Sequence, residues 1–85
     1  MPSIIYDVIE KSVADDLSNR FSYHAPLEGQ PEKYEKIRSD AKDLAFLFER
    51  ACPKSRELSL ALTHLEEAVF WANAAIARNE KLGEK

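Results

Sequence analysis

The chain is expected to be all-α: a long antiparallel helical hairpin with a short N-terminal helix in front, assembling as a homo-oligomer. Three observations point there. Two long segments repeat apolar residues at spacings of three and four. A Cys52-Pro53-Lys54-Ser55 break separates them, too short for anything but an antiparallel return. The second segment also carries more apolar surface than one partner helix can cover.

Residues 1–19 open with Ile5, Ile9, Val13 and Leu17 four apart, the spacing of an amphipathic helix of about four turns. Ser3 is a suitable cap, and Ser18-Asn19 a suitable stop. The Ile and Val content would equally suit a strand. Residues 20–30 form an irregular connection. Ala25 precedes Pro26 and is held extended, and Gly29 permits a turn.

Residues 31–51 form the first long helix. Pro31 suits the first helical position, and Glu32 the positive end of the helix dipole. Tyr34, Ile37, Ala41, Leu44, Phe48 and Ala51 make a heptad-like seam, widened by Ala45 and Leu47. Pro53 stops the helix because it cannot continue the hydrogen-bond ladder. Ser55 caps the second long helix, over 55–80, which extends roughly 37 Å at 1.5 Å per residue. Its seam is Leu58, Leu62, Leu65, Val69, Ala72 and Ile76. Gly83 and the charged end should fray.

Leu60, Ala61, Ala68, Phe70, Trp71 and Ala75 lie off that seam. A chain of 85 residues hides only about 60% of its unfolded surface and commonly needs a disulfide, a metal or a partner copy. Cys52 is the single cysteine, so no internal disulfide forms. His24 and His64 are far apart, and no metal or other cofactor is expected. Self-association through Phe70 and Trp71 is therefore expected. The competing possibility is that the N-terminal helix covers them.

Fifteen acids against 12 bases leave a net charge of −3, unlike a DNA- or RNA-binding surface. A small anionic ligand remains compatible, since a few local cations outweigh a diffuse field. No apolar run is long enough for a membrane. A lone cysteine and the absence of a signal peptide suggest the cytoplasm.

Catalysis has little support. Ser55, Ser59 and His64 lack a nucleophile elbow. Magnesium-dependent nucleotide pyrophosphohydrolases place carboxylates i, i+3 on helices, as do Glu32/Glu35, Asp40/Asp43 and His64/Glu67 here. The same acids alternate with Lys33, Lys36 and Lys42, which suits a solvated face.

The stretch from Arg20 to Arg38 concentrates aromatic, basic, proline and glycine residues. Phe21 and Tyr23 stand two apart, flanked by Arg20 and His24. A tyrosine ring stacks on a nucleobase for about 1–3 kcal/mol while adjacent cations meet phosphate. Arg38, one turn beyond Tyr34, suits a two-pronged phosphate contact. An equally good reading has Phe21 and Tyr23 plugging the hairpin end, with Arg20 paired to an acid.

Arg20-Phe21-x-Tyr23-His24-x-Pro26, Gly29-Gln30, and Tyr34-Glu35-x-Ile37-Arg38 are followed by Cys52-Pro53-x-Ser55-Arg56-Glu57. Ser59-Leu60-Ala61-Leu62-Thr63-x-Leu65-Glu66-Glu67-Ala68-Val69 and Trp71-Ala72-Asn73-Ala74-Ala75-Ile76-Ala77-Arg78-Asn79 complete the pattern. Together they resemble the phage hairpin domain shared by anti-CBASS and anti-Thoeris sponges, over residues 20–79.

The resemblance implies a compact homo-oligomer, a hexamer in the anti-CBASS branch, acting in the host bacterial cytoplasm during infection. It implies that cyclic oligonucleotide messengers are bound and sequestered without cleavage, so the protein is not an enzyme. Cyclic dinucleotides such as cGAMP would sit between protomers, with Tyr23 as the stacking ring and Arg38 as the phosphate cation. Cyclic trinucleotides would use a second pocket, with Arg56, Thr63 and Arg78 as candidates. A helical protein-protein interaction module and a magnesium-dependent hydrolase are the alternatives.

Overall fold

The structure is a computed structural model, and it describes residues 9–81. Among the described residues there are three helices, in the order α1 (Lys11–Arg20), α2 (Gln30–Ala51) and α3 (Arg56–Asn79), and no strand. α2 and α3 pack as the arms of a hairpin.

The expected 1–19 helix does not run unbroken, since α1 begins at Lys11. Ile9 and Glu10 stand outside it, Glu10 with an extended ψ of 149°. β-Branched side chains lose rotamer freedom in a helix, so apolar residues four apart cannot by themselves force one. The helical stretch begins where i, i+4 ion pairs do: Lys11–Asp15 at 2.7 Å, then Arg20–Asp16 at 3.5 Å. The helix also runs past Ser18-Asn19 to Arg20, where the Phe21 N–H donates to the Leu17 carbonyl. The expected beginning of this helix, Ser3 and its neighbours, lies outside the described residues, as does Gly83. No residue of α1 is buried, and Val13 and Leu17 stay open to solvent.

Gly29 has φ 85°, a left-handed conformation that side-chain-bearing residues rarely adopt, and it turns the chain into α2. The helix starts at Gln30, one residue before Pro31. At its far end Cys52 is extended (ψ 141°), as a residue before proline must be. Ser55 then caps α3: its hydroxyl accepts from the Leu58 N–H at 3.1 Å and donates to the Pro53 carbonyl at 3.0 Å.

The α3 seam behaves as its spacing requires. Leu58 is buried, at 6% exposure, and Leu62, Leu65, Val69, Ala72 and Ile76 are partly covered. On α2 the covered line runs through Tyr34, Ile37, Ala41, Ala45 and Phe48. Leu44, Leu47 and Ala51 remain exposed, because a straight helix drifts off a strict seven-residue repeat.

Phe70 and Trp71 are 61% and 68% exposed, and Leu60, about three turns earlier on α3, is exposed as well. α1 does not cover them. A two-helix pin has one contact line, and α3 carries apolar residues on more than that line. No helix among the described residues is long and apolar enough to cross a membrane.

Candidate functional site

The aromatic-basic connection folds back against the open end of the hairpin and forms a concavity of about 490 Å³. Its walls are Arg20 at the end of α1, Ser22, Tyr23 and His24 from the connection, and Tyr34 and Arg38 from α2. Asn73, Ala74, Ala77 and Arg78 of α3 complete it. The volume falls in the range of small-molecule sites.

Each wall has a local cause. On α2, Tyr34 and Arg38 are four apart and so share a face. On α3, Asn73, Ala74, Ala77 and Arg78 fall at helical spacings of three and four, and the two alanines leave room between the polar ends. In the connection, the His24 Nε2–H donates to the Asn19 carbonyl at 2.7 Å. A carbonyl only accepts, so Nε2 carries the proton in this contact. The bond satisfies a carbonyl in the last turn of α1 and orients the ring.

Three guanidiniums line the concavity and no carboxylate does. In a chain with net charge −3 this is a local reversal of sign. Arg20 is held by Asp16, and Arg38 pairs with Glu35 one turn back. Both pairs are solvent-exposed, worth little, and so easily exchanged for a phosphate. Arg78 makes no ion pair with a described residue and sits partly covered on the floor. Tyr23 stands on the rim, 85% exposed, with its ring face available.

Of the residues singled out from sequence, Arg20, Tyr23, His24, Arg38 and Arg78 come together. Phe21 does not line the concavity. It is 79% exposed, with the Arg20 guanidinium 5.8 Å from its ring centroid. Neither aromatic plugs the hairpin end, although Arg20 does pair with an acid. Arg56 and Thr63 are exposed on the other half of α3, about two turns apart. Arg56 lies roughly 33 Å along the helix from Arg78, so one protomer does not gather Arg56, Thr63 and Arg78.

Asn73 is the residue that sequence reasoning passed over. Its Oδ1 is buried and has no hydrogen-bond partner. The available signal was a lone amide in an otherwise apolar Trp71–Ala77 run, just over one turn before Arg78. Tyr34, whose spacing points only to the seam, serves both seam and pocket.

Three of the acids considered for magnesium have partners, whereas Glu32 and Asp43 form no ion pair with a described residue. Glu35 meets Arg38, Asp40 meets Lys36 at 3.2 Å, and Glu67 meets His64 at 2.9 Å. Among the described residues, no three His, Cys, Asp or Glu side chains group so as to hold a metal ion.

Fold and concavity together define a helical-hairpin protein with a cationic, tyrosine-rimmed pocket at one end. Residues 14–77 match the family model described as Acb2/Tad1, hairpin domain. The chain belongs to that family, the anti-CBASS and anti-Thoeris sponges, and the family is linked to anti-defence binding. No curated protein and no solved structure matches the chain.

Proposed function

We propose that this protein sequesters cyclic oligonucleotide messengers, blocking CBASS immunity by binding them intact. The observation that carries this reading is the pocket wall: three arginines, a rim tyrosine and no carboxylate. Tyr23 stacks on a base, and Arg38 holds a phosphate with Arg20 and Arg78 beside it. His24 orients the rim. Function then requires tight binding and no chemistry, so the protein acts without turnover in the bacterial cytoplasm.

The exposure of Tyr23 and Arg38 leaves one side of the pocket open. A second protomer set against it encloses the ligand, and the uncovered Phe70/Trp71 face supports a homo-oligomer, with six copies as the assembly. Cyclic dinucleotides such as cGAMP are the favoured ligands. Cyclic trinucleotides are assigned to contacts where Arg56, Thr63 and Arg78 of different copies meet.

The test is calorimetry against cGAMP, cyclic trinucleotides and cyclic ADP-ribose isomers, with the ligand recovered after denaturing the protein. Saturable binding and unchanged ligand are expected. Tyr23→Ala should weaken binding by roughly 5- to 150-fold, the equivalent of about 1–3 kcal/mol of stacking. No binding to any of these ligands, or recovery of a hydrolysed product, would reject the reading.

A further inference from the structure

Gln30 is 2% exposed, and its side chain is fully occupied. Its Oε1 accepts from the Leu27 N–H at 2.8 Å, while its own N–H donates to the Leu27 carbonyl at 3.0 Å. Its Nε2 donates to the Ile76 carbonyl at 3.4 Å and to Glu80 Oε1 at 3.1 Å. Among the described residues, the hydrogen bonds that cross from the connection or α2 to α3 come from Gln30 and its neighbour Lys33.

The placement matters. Ile76 lies within the turns of α3 that supply Asn73, Ala77 and Arg78 to the pocket floor. Gln30, Tyr34 and Arg38 are successive i, i+4 positions on α2. Leu27 ends the segment that carries Tyr23 and His24. The other side-chain anchor of that segment, His24 to Asn19, ties it to α1, which has no buried residue. One buried amide therefore joins the rim-bearing loop, the α2 wall and the α3 floor.

We infer that Gln30 is a positioning residue for the pocket: it holds the connection so that Tyr23 and His24 stand over Arg38 and Arg78. The ligand-affinity part rests on the proposed cyclic-nucleotide reading; the loop-holding part does not. A glutamate at this position keeps the acceptor for Leu27 but loses both donors and faces the Glu80 carboxylate. Adding Glu80→Gln returns a donor to the pair with the roles exchanged, and Lys33 can then meet the carboxylate at position 30.

The experiment measures amide hydrogen exchange and cGAMP affinity for wild type, Gln30→Glu and the Gln30→Glu/Glu80→Gln double variant. In Gln30→Glu, the Leu27 and Gln30 amides, which bond each other's residues across the turn, should exchange at least tenfold faster, with mid-helix α2 and α3 amides unchanged. cGAMP affinity should fall about tenfold, and the double variant should recover most of both losses. Unchanged loop exchange overturns the inference. So does parallel loss of loop and mid-helix protection, which marks a merely structural role. Gln30→Met, of similar volume and without hydrogen bonds, takes the place of Gln30→Glu if the latter does not fold. Loop loosening and rescue in a protein whose wild type ignores cGAMP would uphold the positioning role and count against the proposed ligand.

Discussion

The Lys33 ammonium forms an ion pair with the Glu80 carboxylate across 47 positions of sequence. It closes the end of the hairpin opposite the Cys52–Ser55 return. Gln30 shares the same carboxylate, so one acidic side chain at the end of α3 receives two donors from the start of α2. The contact fixes which turn of α2 faces which turn of α3, and the pocket depends on that register.

This pair should make stability fall in acid. The Lys33 and Gln30 hydrogen bonds hold the Glu80 carboxyl below the ordinary glutamate value. A folded state with the lower value binds fewer protons, so the contribution is fully present above the ordinary glutamate value. It is lost as pH falls through the folded one. Thermal unfolding across pH 2–7 should show a shallower acid decline in Glu80→Gln than in wild type. The difference should shrink at high salt, since the Lys33 side chain is 42% exposed. Identical profiles would remove Glu80 from the acid response.

The Ser55 cap should carry measurable stability. Its hydroxyl satisfies the Leu58 N–H, and Leu58 is the buried apolar side chain among the described residues. Ser55→Ala should cost about 1 kcal/mol, and Ser55→Asp much less. For a protein of this size that corresponds to a Tm shift of roughly 4–8 °C by calorimetry. An unshifted alanine variant would mean water replaces the cap.

The Phe70/Trp71 face should govern assembly. Both side chains are exposed, so charged replacements leave the hairpin contacts in place. Phe70→Lys with Trp71→Lys should reduce the mass measured by light scattering toward the 9.7 kDa of one chain, with helical content retained. Anchors of this kind typically contribute about 2 kcal/mol or more each. An unchanged assembly mass would place the protomer contacts elsewhere.

Much of the fold could be read from local pattern. The three-four spacing of α3, the Ser55 cap, the Pro53 stop and the Gly29 turn each depend on residues within a few positions of one another. The N-terminal helix was harder, because Ile and Val at helical spacing serve helix and strand alike. Its described part follows the Lys11–Asp15 and Arg20–Asp16 pairs rather than the apolar line.

The candidate site was half legible. Tyr23, His24 and Arg38 sit in one unusual stretch, and composition draws attention to them. Nothing local says that Arg78, forty positions beyond Arg38, lies beside them, or that Asn73 places an unpartnered oxygen there. Gln30 looks like any polar residue at a helix start, and its burial appears only once Ile76 and Glu80 arrive from the far end of α3.

By itself, then, the sequence determined where the two long helices begin and end to within a residue, much of the apolar stripe of each, and which family the motifs resemble, because helix periodicity and capping are short-range. The tertiary structure decided the register of α2 on α3, and with it the pocket. Register is set by contacts such as Lys33–Glu80 and Gln30–Ile76, whose partners are separated by most of the chain and meet only when the hairpin closes.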